Sequence, residues 1–215
     1  MLRLLLLEDE DLLRLTLATA LPDESMTVVG AHGNAKSALA AAAETPFDVL
    51  VTDLDLAQGQ GPNGVVVANV LRRTKPEIGV VLLTSYSDPR LVGTKLDQLP
   101  ERTEYVRKHA LRDIDTLRDA IRRAAQSANK PTSHASAVSL TDTQIETMRL
   151  VAQGLSNSEI ARQRVVTEGA VEVSLRRIAR NLGYSNDSTQ NVRALIVRAY
   201  FELSGATGAQ HKLPS

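Results

Sequence analysis

The 215-residue chain contains no cysteine and no tryptophan. Without cysteine there is no disulfide, no thiolate nucleophile and no sulfur-ligated metal, and a reducing cytoplasm is the expected compartment. Aromatic residues make up 3% of the sequence, too few for a membrane aromatic belt or a platform on which bases stack. Long apolar runs are also missing. The opening run Leu4–Leu7 meets Glu8, Asp9, Glu10 and Asp11 at once, far short of a signal-peptide core or a spanning helix, so no membrane partner is expected. Neither charge is in excess: 25 basic residues stand against 25 acidic ones. That balance excludes a uniformly basic nucleic-acid coat and an acidic solvating tail.

What is present is a globular composition, 43% hydrophobic, at a length that admits one large domain or two small ones. The stretch Ser127–Ser139 (SANKPTSHASAVS) is polar, lacks apolar periodicity and contains one proline, as a linker should. It divides the chain into a domain at 1–127, a linker at 128–138, a second domain at 139–207 and a tail at 208–215. Residues 1–130 carry 16 basic and 18 acidic side chains, net −2, and residues 131–215 carry 9 and 7, net +2.

Short apolar runs recur in the first domain at Leu4–Leu7, Val28–Val29, Val49–Val51, Val80–Leu83 and Tyr105–Val106. Helical spacing lies between them near Leu12–Leu21, Ala35–Glu44, Val65–Arg73, Leu91–Leu99 and Ile114–Ala125. Five strand–helix units predict a parallel sheet covered on both faces, an α/β fold. The second domain reads as four short helices. Thr141 with Gln144 and Ser156 with Glu159 are capping boxes, Thr167 caps a third helix that Gly183 stops, and a fourth runs near Val192–Leu203. The short turn Arg164–Val166 between the second and third makes a helix-turn-helix.

Ligands of an open parallel sheet bind outside the carboxyl ends of the strands. The polar residues there are Glu8 and Asp9 after the first strand, Asp53 after the third, Thr84 after the fourth and Lys108 after the fifth. Three carboxylates drawn together repel unless a cation neutralises them, and oxygen donors favour a hard ion such as Mg²⁺. Asp53 then has the chemistry of a phosphoryl acceptor, with the Lys108 ammonium and the Thr84 hydroxyl on the transferred oxygens. Each residue alone is unremarkable as a cap or a solvated charge; the set of five on one rim is not.

The segments LLLLEDE, VLVTD, VVLLTS and YVRK resemble the receiver domain of two-component response regulators over about residues 2–127. The resemblance implies a flavodoxin-like (βα)5 fold with Asp53 phosphorylated by a sensor histidine kinase. It implies Mg²⁺ at Glu8, Asp9, Asp53 and the backbone carbonyl of Asp55, Thr84 as switch hydroxyl, Tyr105 as the aromatic that moves with it, and Lys108 on the phosphate. His109 stands where relatives commonly carry proline, so this loop is expected to run trans. The stretch Leu56–Gly64 is longer and richer in glycine than in relatives. Asp53-Leu54-Asp55 with the later Thr84 and Lys108 also resembles haloacid-dehalogenase-type phosphatases. That class places its further acidic pair downstream of the lysine, whereas here Glu8 and Asp9 lie upstream.

If the third helix of the second domain buries Val171, Leu175, Ile178 and Leu182, it turns Gly169, Glu172, Val173, Arg176, Arg177 and Arg180 outward. From Ile160 to Leu182 five arginines face two glutamates, a local net of +3. Such a face suits the major groove of double-stranded DNA. Arg176 and Arg177 would reach guanine edges or phosphates, Val173 a thymine methyl, Glu172 a cytosine amine, and Arg162, Arg164 and Arg180 phosphates, beside the capping Thr167. The stretch from Leu140 to Gly183, with Gly154-Leu155-Ser156-Asn157 and Glu159-Ile160-Ala161 its most specific part, resembles the LuxR-type DNA-binding domain over about 139–203. Together the two resemblances identify the chain as a member of the NarL/FixJ class. They imply a cytoplasmic, homodimeric, promoter-binding transcription regulator that is not an enzyme. A receiver-like transcription factor that works without phosphorylation is the nearest alternative, the phosphatase a more distant one.

Overall fold

The computed structural model describes residues 1–56, 63–94, 99–100, 103–111, 113–126, 140–184 and 191–204. The linker at 128–138, the tail at 208–215 and most of the glycine-rich loop after Asp53 lie outside the described residues. The chain divides into two compact units. The first comprises Met1–Thr84 and Leu96–His134, the second Ser85–Lys95 and Ala135–Ser215.

In the first unit five strands, β1 (Leu2–Leu7), β2 (Met26–His32), β3 (Val49–Asp53), β4 (Gly79–Thr84) and β5 (Thr103–Arg107), form one parallel sheet in the order β2-β1-β3-β4-β5. Helices α1 (Asp11–Ala20), α2 (Ala35–Glu44), α3 (Gly64–Thr74) and α4 (Ile114–Gln126) are the crossovers. Because helices cover both faces, β1 needs no alternation: Leu4, Leu5, Leu6 and Leu7 are all fully buried. Leu4 and Leu6 pack with Val49, Val51, Val81 and Leu83 against Leu17 of α1 and Leu117, Ile121 and Ala124 of α4. Burying these side chains is worth about 1.5–3 kcal/mol each, which is what holds the crossovers on the sheet.

The strands extend past their apolar cores by up to three residues at an end, and four of the five expected helices form among the described residues. The exception is the stretch Leu91–Leu99. Asp88 caps a 3-10 turn over Pro89–Val92, and Gly93, at φ +80°, ends it. Residues 95–98 lie outside the described residues. Within the described part of the stretch, Leu91 is fully buried in the core of the second unit.

The second unit contains α5 (Asp142–Ala152), α6 (Asn157–Arg164), α7 (Glu168–Asn181) and α8 (Val192–Leu203). Both expected capping boxes are formed, at Thr141 with Gln144 and at Ser156 with Glu159. Thr167 caps α7 by accepting from the Ala170 amide at 3.2 Å. Ile145, Met148 and Val151 of α5, Ile160 of α6, Val171, Leu175 and Ile178 of α7, and Ile196 of α8 close around one core that includes Leu91. The α6–α7 turn pivots on Val165, held at φ +55° and 91% exposed. A β-branched residue in the left-handed region is strained by about 1–3 kcal/mol, so packing on both sides dictates this turn against local preference.

Candidate functional site

β1 lies between β2 and β3, so the chain reverses its winding at the β1/β3 boundary and leaves a crevice at their carboxyl ends. Asp53 is the last residue of β3, and Glu8 and Asp9 follow β1 directly. A carboxylate oxygen from each of the three lies within 4.8 Å of the others. Lys108, the first residue after β5, sets its Nζ 2.9 Å from the Glu8 carboxylate and 2.9 Å from Asp53 Oδ2. Thr84, fully buried, ends β4. Tyr105 pairs with Leu82, two residues before Thr84, so Tyr105 and Thr84 project from the same face of the sheet. The structure therefore brings all the rim residues expected from sequence to one end of the sheet. Asp55 joins them through its amide, 3.3 Å from Asp53 Oδ1, and the Lys108–His109 peptide is trans as expected.

Glu8 and Asp53 share the single ammonium of Lys108. Burial pushes the Glu8 carboxyl above its ordinary value of 4.5, and the neighbouring Asp53 charge adds to this against the hydrogen bond from Lys108. For Lys108 burial alone would lower the ammonium, but the Asp53 and Glu8 carboxylates outweigh it and the net shift is upward. The Lys108 ammonium lies 2.9 Å from both Glu8 oxygens and its hydrogen bond goes to Oε1. Oxygen-only donors, a fully buried glutamate and three carboxylates drawn within 4.8 Å fit a small hard cation such as Mg²⁺.

Two features position the rim that the sequence did not advertise. A Cβ at Gly64 would sit 2.0 Å from the Asp53 carbonyl oxygen and 2.7 Å from Thr52 Oγ1, so only glycine lets the start of α3 pass behind the acceptor aspartate. Arg14, one turn into α1, donates to the Glu8 carbonyl at 2.8 Å and pairs with Asp11, fixing the turn that carries Glu8 and Asp9. Backbone carbonyls as acceptors leave no sequence signal; an arginine one turn after an acidic cluster is the faint clue.

In the second unit α7 buries Val171, Leu175, Ile178 and Ala179, with Leu182 half-buried. Gly169, Glu172, Val173, Arg176, Arg177 and Arg180 are exposed, as the helical spacing predicts, and so is Arg162 on α6. Arg176 stands 3.6 Å from Glu172 in an exposed i,i+4 pair, which contributes little to stability and partly neutralises both groups. Arg164 is different. It is half-buried and donates to Thr147 Oγ1, so at least part of its guanidinium ties α6 to α5 rather than facing outward. Arg193 was not anticipated: it donates to Asn157 Oδ1 at 2.7 Å and to the Leu155 carbonyl, bracing the entry to α6 from α8.

A family model described as the response regulator receiver domain matches residues 4–122. The chain belongs to that family. A second model, bacterial regulatory proteins of the luxR family, matches residues 138–194 of this response regulator. Curated relatives include the response regulator protein VraR of Staphylococcus aureus, 27% identical over 204 residues that cover 88% of this chain and 94% of the relative. A nitrate/nitrite response regulator protein homolog of Haemophilus influenzae is 26% identical over 194 residues, covering 84% and 90%. Among solved structures, an RcsB–DNA complex aligns with a TM-score of 0.58 at 18% identity over 94% of this chain and 98% of that one. RcsB of Salmonella typhimurium aligns with a TM-score of 0.56 at 20% identity, with the same coverage. These likenesses confirm the flavodoxin-like receiver and the helical LuxR-type domain. The response regulator is thus homologous to DNA-binding regulators of two-component systems, and the family match settles the choice between receiver and phosphatase that the Asp53-Leu54-Asp55 motif left open.

Proposed function

We propose that this response regulator is switched by phosphorylation of Asp53 by a sensor histidine kinase and that its α7 reads promoter DNA. The observation that carries the proposal is the cluster of Glu8, Asp9 and Asp53 oxygens within 4.8 Å, with Lys108 bridging two of them, in a chain that also bears an exposed cationic helix-turn-helix. Glu8, Asp9, Asp53 and the Asp55 backbone carbonyl would hold Mg²⁺. When bound, that ion neutralises the carboxylates and the charge on the transferred oxygens.

An Asp53 oxygen forms the new P–O bond as the donor's P–N bond breaks, the departing imidazole taking up a proton. The Lys108 ammonium then shifts from the Asp53 carboxylate to a phosphoryl oxygen, and the Thr84 hydroxyl donates to another, drawing the end of β4 toward Asp53. Tyr105, on the same face, repacks into the space Thr84 leaves. Domain limits of 1–127 and 139–207 accord with this division of labour. Arg162, Arg176, Arg177 and Arg180, with Thr167 and the outward part of Arg164, would position α7 on phosphates while Glu172 and Val173 discriminate bases. A homodimer in the cytoplasm would engage two half-sites. Among the described residues no helix is long and apolar enough to cross a membrane. Incubation with a small phosphodonor and Mg²⁺ should add one phosphoryl group to the wild type and none to Asp53→Asn; a persistent adduct on Asp53→Asn overturns the assignment.

A further inference from the structure

Residues three and four apart on a helix share a face. On α7 a third row, Ala170, Val173, Ser174, Arg177 and Asn181, flanks the buried row of Val171, Leu175 and Ile178. Together with the first turn of α5 this row encloses an open groove of about 530 Å³. Leu140 and Gln144, each 5% exposed, form its floor. The whole groove lies within the helical unit.

The groove is rich in donors, and no carboxylate lines it. Gln144 is held by its own oxygen: Oε1 accepts from the Thr141 amide at 3.0 Å and from Asn181 Nδ2 at 3.4 Å. That bonding leaves the Nε2 hydrogens to the groove, with no acceptor bonded to them among the described residues. Arg176 pairs with Glu172, whereas Arg177 has no acidic partner among the described residues. Thr143 and Ser174 contribute two hydroxyls. Thr143 also stands in the first turn of α5, where backbone amides lack intrahelical acceptors and the helix dipole favours negative charge. Leu140, Ala170 and Val173 make one side of the groove apolar. Its volume is that of a small-molecule site with a few convergent polar groups.

We infer that this groove binds a small phosphorylated molecule, a phosphate monoester on an apolar body, and that the bound molecule competes with DNA for α7. The phosphate supplies the acceptors that Arg177, Gln144 Nε2 and the two hydroxyls lack, and a guanidinium can engage two of its oxygens at once. The apolar body rests on Leu140 and Val173. A duplex phosphate stays within its strand; a molecule small enough to sink between two helices is the occupant that reaches Gln144. Competition follows because Val173 and Arg177 line the groove and also belong to the face proposed to read DNA. The competition rests on that proposal, and the binding site does not.

The test uses the full chain without Mg²⁺, with phenyl phosphate and inorganic phosphate as probes, followed by amide resonances and by DNA retention. Phenyl phosphate should produce saturable shifts at the Thr143 backbone amide and the Gln144 side-chain amide, and should bind more tightly than inorganic phosphate, which has no apolar body. Thr143→Val, an isosteric change at an exposed position, should weaken phenyl phosphate by about tenfold, the worth of one hydrogen bond to a charged group. Ser174→Leu should block the groove. Saturating phenyl phosphate should release DNA from wild type at an ionic strength where chloride does not, and Thr143→Val should need about tenfold more of it. Shifts that spread over the arginines of α7 without saturating, or equal binding by wild type and both variants, would show charge screening alone and overturn the site. Saturable binding in the groove with unchanged DNA affinity overturns the competition. Wild type that retains no DNA even without probe overturns the reading of α7 as the DNA-binding helix, while the resonance titration still decides the site.

Discussion

Two buried clusters of charge among the described residues differ in composition. In the sheet unit, Glu8 and Asp53 share one ammonium, Lys108, with the Asp9 carboxylate drawn in beside them. In the helical unit, Asp88 and Arg90 neutralise one another, the guanidinium reaches the Leu140 carbonyl and Asp142, and the Arg90 pKa is raised by these partners. Both clusters incur the cost of leaving water. The first sets two carboxylates on one ammonium at the winding reversal of the sheet, where a cation and a phosphoryl group are proposed to bind. The second is a buried ion pair whose guanidinium is fully engaged by its neighbours.

The comparison breaks most visibly at Arg90. Arg90→Ala leaves a fully buried Asp88 without its cation and should destabilise the helical unit by about 3–5 kcal/mol in urea unfolding; replacing Asp88 by Asn in the same chain should recover part of it. On the exposed face of α7, charge acts on the partner instead of the fold. Arg177→Ala should leave the melting temperature within a degree or two, weaken DNA binding by about 1–3 kcal/mol if it meets a guanine, or lower the salt slope by about one if it meets a phosphate.

Glu8 and Asp48 sharpen the same contrast through pH. The folded-state pKa of Glu8 is raised by burial, so ionising it costs stability, and that cost appears as pH rises from 4.5 through the higher folded value. Glu8→Gln should therefore raise the stability of the metal-free protein at neutral pH, read in urea unfolding, and abolish any Mg²⁺-dependent rise in melting temperature. Asp48 is the balanced case. Arg3 donates to it from Nε, Nη2 and its backbone amide at 2.8 to 3.1 Å, and its pKa is lowered. Its contribution is present above the ordinary value of 3.8 and is lost as pH falls through the lower folded value. Asp48→Asn should accordingly cost a small amount of stability at pH 7, and the difference from wild type should vanish in acid.

The sequence announces the unbalanced cluster better than the balanced one. Glu8, Asp9, Asp53, Thr84 and Lys108 are separated by up to a hundred residues, yet parallel topology alone carries every strand's last residue to one rim, so their convergence follows from the apolar runs before them. Capping boxes at Thr141 and Ser156 and the spacing of Val171, Leu175 and Ile178 likewise fix helix starts and the outward face of α7, because both are local. The placement of Leu91 was not legible. The stretch from Leu91 to Leu99 reads as a crossover helix, but its described start is a 3-10 turn over Pro89–Val92 and the core of the helical unit takes Leu91. Arg90 after Asp-Pro reads as a solvated loop charge, since its partners Leu140 and Asp142 lie some fifty residues on. Arg164 has a second partner that the sequence does not show: beside the helix-turn-helix, one of its donors goes to a hydroxyl on α5.

Phosphorylation of Asp53 is proposed to govern what α7 does. Its most direct measurement is a DNA-binding isotherm of the full chain at fixed salt, with and without a small phosphodonor and Mg²⁺, for wild type and Asp53→Asn. Wild type should tighten severalfold to a hundredfold with the donor, within the range of ordinary coupling energies, and Asp53→Asn should show one affinity throughout. Equal affinities for wild type in both conditions, with the phosphoryl group verified on Asp53, would contradict the account.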